Sequence, residues 1–191
     1  ADERKDRITG LVSGKYLITD WLDVKAVISM DLINTKQSYQ ANNNTPGAAG
    51  SDNGSFGYDL VRRAQTNIDL VFSGRNSITS DLKISYNLGG TVLDTRGDVT
   101  GISARKLIVP NRFNLAFAPQ ADQFNWNANT HVQRQAIWGT AQFSFKDFLY
   151  LDVTGRQEYF STLPSPYSSF YPSAGLSVIL SDMIKMPSIV D

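Results

Sequence analysis

The sequence contains no cysteine and a single histidine, His131. Without thiols there is no disulfide, no thiolate nucleophile and no thiolate zinc site. His131 lies in an Asn/Gln-rich stretch with no serine, carboxylate or second histidine at a spacing that would make a triad or a metal set. It reads as a solvated loop residue. Glycine-rich phosphate loops and the GxSxG elbow are missing as well. No apolar run approaches the roughly 18 residues that mark a membrane-crossing helix, so such a helix is excluded. Charge of one sign is also lacking: 18 basic residues balance 18 acidic ones in a chain of 191. A nucleic-acid binder carries a basic excess, and there is none here. Mean hydropathy is −0.24, with 41% hydrophobic residues. A β-barrel gives such values too, because its lumen face and loops dilute the apolar signal.

What the chain has in abundance is alternation. It is clearest from Ala136 to Met183, in the runs Ala136–Phe145, Leu149–Tyr159 and Tyr171–Leu180. One register of the first shows Ile137, Gly139, Ala141, Phe143 and Phe145; the second shows Leu149, Leu151, Val153 and Gly155; the third shows Ala174, Leu176, Val178 and Leu180. Successive side chains of a strand point to opposite faces, so period two predicts half-buried antiparallel strands. Lys146-Asp147-Phe148 reads as a hairpin turn, and Phe160–Phe170 as a longer Pro/Ser-rich link. Upstream, Leu22–Ile33 repeats the pattern, as does a hairpin of Ala64–Ser73 and Ile78–Val92 joined by Gly74–Ser77. Ile8–Ile18 is a weaker strand, interrupted by Gly10 and Gly14 and followed by a turn at Thr19–Trp21. Asn34–Leu60 and Leu93–Gln133 show no period and are predicted to be long links, the second holding a short extended segment at Ala104–Val109.

Charge follows the alternation. The apolar register of the clear strands carries none, whereas the other register holds Asp23, Lys25, Asp31, Asp69, Asp81, Lys83, Asp152, Arg156 and Glu158. A soluble β-sandwich segregates charge in the same way. Strands of about 10 to 12 residues fit a bilayer crossing better than soluble strands of about 5 or 6. Short turns alternating with long links point the same way, with the short ones expected on the periplasmic side. Trp21, Phe72, Phe145 and Phe148, near the turns, would suit an interfacial belt.

Three blocks add a family resemblance. YLDVTGR at Tyr150–Arg156, STLP at Ser161–Pro164 and FYPSAGLSVILSDM at Phe170–Met183 resemble the SusC-type TonB-dependent transporters, outer-membrane nutrient importers of Bacteroidetes-like bacteria. ITDWLDVK at Ile18–Lys25 is similar to another recurrent piece of that family. One departure is Gln157-Glu158-Tyr159, where the family often has Asn-Asp or Arg-Asp. The resemblance implies an all-β fold: about seven antiparallel strands of a transmembrane β-barrel of roughly 22 strands. Residues 1–191 would be one partial barrel domain, with the plug and remaining strands outside this chain. The resemblance further implies the outer membrane of a Gram-negative, Bacteroidetes-like bacterium, TonB as energy source and a SusD-like surface lipoprotein as lid. Oligosaccharide or peptide import and a dimer of transporter–lipoprotein pairs complete the expectation; no enzyme activity, metal or cofactor belongs to it. Both ends then read as cuts, since ADERKDRITG lacks an initiating Met and a signal sequence, and Pro187–Asp191 looks like the approach to another strand.

Candidate contact residues come from the links. Tyr39, Phe56, Tyr58, Phe113, Phe117, Phe124, Trp126, Tyr167 and Phe170 are all expected outside the membrane band. Loops pack on their own aromatics, and exposed rings also bind sugars and protein partners. Tyr58, Phe124, Trp126 and Tyr167 are the candidate substrate or lid contacts. Asp152, Arg156 and Glu158 share one strand face, as either a hydrated charge ladder or an acid–base pair. Asp52-Asn53-Gly54-Ser55 resembles the start of a calcium loop, but no Glu closes it at the twelfth position, and a turn is the simpler reading. Two other functions fit the strands: a soluble β-sandwich module that binds glycans, and a passive porin.

Overall fold

The computed structural model describes residues 1–45 and 53–183. Seven strands form one antiparallel sheet in sequential order: β1 (Asp2–Thr19), β2 (Leu22–Ala41), β3 (Ser55–Ser77), β4 (Leu82–Ala104), β5 (Gln123–Phe145), β6 (Leu149–Phe160) and β7 (Ser168–Val178). A single helical turn, α1 (Leu180–Met183), follows β7. β5 and β6 pair from Arg134↔Phe160 to Phe145↔Leu149, and β6 and β7 from Leu149↔Val178 to Tyr159↔Ser168, without a slip. The apolar register is thereby kept on one face across all three.

The chain divides into two compact units. The first to consider comprises Leu11–Ser29, Asn67–Asp94 and the chain from Val132 onward. On one of its faces large apolar side chains stand open, Ile137 at 63% and Leu176 at 70% exposure among them, with Ile28, Leu70, Leu88, Leu151 and Val153. The alternate residues form a polar lattice. Lys15 pairs with Asp23 at 3.0 Å, Thr91 donates to Asp69 at 2.7 Å, Asn87 to Thr140 at 3.2 Å and Gln142 to Asp152 at 2.8 Å. No large side chain is fully buried among the described residues. Covering each of those open side chains is worth about 1.5–3 kcal/mol, so the apolar face calls for an apolar medium.

The β5–β6 turn is built tightly. Lys146 and Asp147 both take left-handed backbone (φ 50 and 57), and Phe148 N–H donates to Phe145 O at 3.2 Å, a type I′ turn. Aspartate tolerates this conformation, and its carboxylate is held by Lys83 Nζ at 2.7 and 2.8 Å and by Ser144 Oγ at 3.2 Å. Phe145 and Phe148 meet edge to face beside it, with centroids 6.0 Å apart.

The other unit comprises Ala1–Gly10, Met30–Thr66 and Thr95–His131. Here the residues that continue the apolar register along the same strands are polar: Arg4, Asp6, Asn34, Lys36, Arg62 and Asp98 line a shallow concavity of about 530 Å³. The alternate register carries a bidentate Arg7–Asp31 pair, both bonds 2.8 Å, and Gln37 donating to Glu3 at 3.0 Å. Residues 105–122 fold as a compact link with two 3-10 turns, Leu115–Phe117 and Gln120–Asp122. Asn114 caps the first by accepting from Ala116 N–H at 3.0 Å, and Gln123 donates to Ala118 O at 2.8 Å. Beneath the link Phe56, Ala104, Leu107 and Ala118 form a small buried cluster, with Phe113 and Leu115 packed on it.

The strands run well past their sequence-predicted limits. The link expected at Asn34–Leu60 shrinks to residues 42–54, of which 46–52 lie outside the described residues, Asp52 of the calcium-like reading included. Asn53, within the described part, donates to Leu107 O at 2.8 Å and so ties this segment to the 105–122 link. The link expected at Leu93–Gln133 is reduced to 105–122; Ala104–Val109 is not an extended segment, since β4 ends at Ala104. The turn placed at Gly74–Ser77 falls instead on 78–81, where Thr79 N–H donates to Leu82 O at 3.1 Å. β1 extends from Asp2, whereas the sequence predicts a strand, and a weak one, only from Ile8. The supposed link Phe160–Phe170 narrows to 161–167, and Pro187–Asp191 lies outside the described residues. A two-residue period needs water on one side and an apolar medium on the other. The polar extensions, wet on both faces, are held by backbone pairing and leave no such trace.

Candidate functional site

Glycines facing large rings shape the polar face. A Cβ on Gly57 would collide with the ring of Tyr39, one on Gly89 with Trp138, and one on Gly101 with both Trp126 and Asp59 Oδ1. Each ring therefore lies flat where its neighbour has no side chain, a device that stiffens a sheet at glycine. In the apolar register Tyr86 does the same over Gly74 and donates to Asn76 at 3.3 Å.

Of the four candidate contacts, the structure brings only Phe124 and Trp126 together. Both are on β5, not in a loop, and two residues apart, so they share a face. Trp126 is 39% exposed beside Asp59, and the Arg105 guanidinium stands over the Phe124 ring at 4.4 Å. Tyr58 is on β3, and its neighbours Gly57 and Asp59 meet Tyr39 and Trp126, so Tyr58 itself is on the opposite face, under Lys36 Nζ at 5.1 Å. Tyr167 belongs to the other unit, at the end of the 161–167 link with φ 62, and is 55% exposed. Phe56 and Phe113 are taken up in the buried cluster. His131 also sits on β5, exposed, and not in a link.

Two residues that sequence reasoning passed over complete the aromatic strip: Asp59 and Ser103. Tyr39, Gly57, Asp59, Gly101, Ser103 and Trp126 all lie in one unit. Burial raises the Tyr39 hydroxyl pKa above 10.0, the Asp59 charge adds to this, and a hydrogen bond with Ser103 opposes it. The phenol is therefore neutral at physiological pH. Asp59 Oδ1 is buried and has no hydrogen-bond partner. Only the pairing of β3 with β4 and of β4 with β5 gathers these groups, which no local motif encodes.

In the other unit the polar face carries a concavity of about 760 Å³ whose lining includes Lys15, Asp23, Arg75, Lys83, Asn87 and Gln142. Arg156 Nε donates to Glu158 at 2.6 Å, and Asp152 accepts from Gln142. Both carboxylates are thus members of the hydrogen-bonded polar wall.

The open antiparallel sheet, with one apolar and one polar face, has the fold of a segment of β-barrel wall. Among solved structures, the chain is similar to the RagAB peptide transporter, with TM-score 0.81 and 17% identity over 97% of this chain and 21% of that one. The RagAB peptide importer in its closed-closed state gives TM-score 0.81 and 17% identity over 98% and 21%. The siderophore receptor PiuA from Acinetobacter baumannii is more distant, at TM-score 0.53 and 10% identity over 92% and 29%. The chain thus spans about a fifth of the length of the RagAB chains it matches. No protein-family model and no curated protein matches it.

Proposed function

We propose that this chain is part of the wall and outer links of a TonB-dependent, SusC-like active importer of the outer membrane, and performs no chemistry of its own. The observation that carries the reading is the two-faced sheet: exposed apolar residues on one face, suited to hydrocarbon, and a hydrated lattice of paired charges and amides on the other. Aqueous barrels need that division. The likeness to an importer and a receptor supports active uptake, with oligopeptide the favoured cargo and oligosaccharide the alternative. In this reading the polar strand extensions stand outside the bilayer, where a SusD-like lipoprotein docks as lid, and Phe124, Trp126, Tyr58 and Tyr167 are available to cargo or lid. A soluble sandwich would need a second sheet over the apolar face, and the described residues form only one.

The test is uptake of a fluorescent oligopeptide by cells expressing the full-length transporter. Uptake should stop when TonB is deleted or the proton gradient is collapsed. Continued uptake under both conditions would instead assign a passive porin.

A further inference from the structure

Asp59 sits between two rings. β3 presents Gly57 and Asp59 on one face; Tyr39 of β2 lies over Gly57, and Trp126 of β5 reaches across Gly101 of β4, where its ring and Asp59 Oδ1 both stand within 2.3 Å of the place a Cβ would take. The two glycines make this possible, since a side chain at either would lift a ring off the sheet. The result is a strip of ring, carboxylate and ring. Its Asp59 oxygen is buried without a hydrogen bond, and no ion pair reaches Asp59 among the described residues. The nearby basic groups are placed elsewhere: Arg105 is over Phe124, and Lys36 is over Tyr58 on the opposite face.

An unmatched carboxylate oxygen held away from water is unfavourable until a donor or counter-charge reaches it. The faces of tyrosine and tryptophan are negative, so they too attract a cation and repel an anion. Ring and carboxylate therefore select for the same sign. A neutral sugar could stack on Trp126, but it would not need the charge. We propose that Asp59, flanked by Tyr39 and Trp126, anchors a primary ammonium or guanidinium group of the imported substrate. This rests on the importer reading and narrows its cargo to ligands that carry a positive group, such as a lysine or arginine side chain or a peptide amino terminus. Burial raises the Tyr39 hydroxyl pKa, so that ring adds no charge of its own to the strip.

Two readouts on the full-length transporter separate this proposal from the importer reading. Binding of an acetyl-capped hexapeptide with one lysine is measured on purified protein by tryptophan fluorescence and calorimetry, against the same peptide with Nε-acetyl-lysine. Uptake of both is then followed in cells. The lysine peptide should bind about tenfold or more tightly than its acetylated counterpart, and Asp59→Asn should abolish the difference. Asp59→Glu, which keeps the charge, should retain part of it. Equal binding of the two peptides, no binding of the lysine peptide, or a preference that survives Asp59→Asn overturns the proposal. If both peptides are imported equally well, the importer reading stands and the anchor fails. If the lysine peptide binds with the expected preference but never enters cells, the anchor stands and the importer reading fails.

Discussion

Replacing Gly101 by valine would drive a branched side chain into space already held by the Trp126 ring and the Asp59 carboxylate. Such overpacking typically costs about 1–3 kcal/mol. Gly10, whose Cβ would meet nothing within 4 Å, offers the comparison. Urea unfolding of the purified protein should show Gly101→Val destabilised by that order and Gly10→Val nearly unchanged; equal midpoints would mean that the ring does not rest on the glycine. A second prediction concerns Asp147 in the β5–β6 turn. The hydrogen bond from Lys83 holds its carboxyl below 3.8, helped by the Lys83 charge and by Ser144 and opposed by desolvation. A depressed pKa contributes stability above the unfolded value and loses it as pH falls through the folded one. Hydrogen-exchange protection at Phe148 N–H should therefore stay level from neutral pH to about pH 4 and fall below it, and Asp147→Asn should remove the dependence. A fall already complete at pH 5 would contradict the pairing. Neither Trp126 over Gly101 nor Lys83 against Asp147 was legible in the sequence, because each depends on how one strand registers against another.

Alternation located six of the seven strands clearly and β1 only weakly, and it missed their full length. Leu22–Leu32 and Ile137–Phe145 were visible because their open apolar side chains recur every second residue. Asn34–Ala41, Ser55–Arg62 and Gln123–Arg134 look like loops because polar residues fill both registers, yet they belong to strands of 20 and 23 residues. The same absence of contrast hid the site: Tyr58, Phe124 and Trp126 were picked as loop residues and are strand residues, on two different faces. β3 allows a direct check, since Arg62 and Leu70 are eight positions apart in one register. In intact membranes, Arg62→Cys should react readily with a water-soluble maleimide while Leu70→Cys stays protected. Equal reaction at both would show that the extension and the band share one medium.

For the whole molecule, the account rests on which side of the sheet faces lipid. The charge-free register indicated the answer in outline, and the exposed apolar face supplies the structural counterpart. The blocks that carry the family resemblance, around Tyr150–Arg156 and Phe170–Met183, lie on β6, β7 and the helical turn after it, so they report the wall and say nothing of cargo. Ile84→Arg, placed on the apolar face, should cost roughly 2–4 kcal/mol near the bilayer midplane, seen as reduced heat resistance of the folded band on gels. The most direct measurement uses neighbours on β4. Lys83→Cys and Ile84→Cys are introduced separately into the full-length protein, and intact outer membranes are treated with a membrane-impermeant thiol reagent and, in parallel, a lipid-confined quencher acting on a fluorophore at each site. The account predicts that Cys at 83 is labelled from water and unquenched by lipid, and that Cys at 84 shows the reverse. Equal labelling at both positions, or quenching at 83 in place of 84, would contradict it.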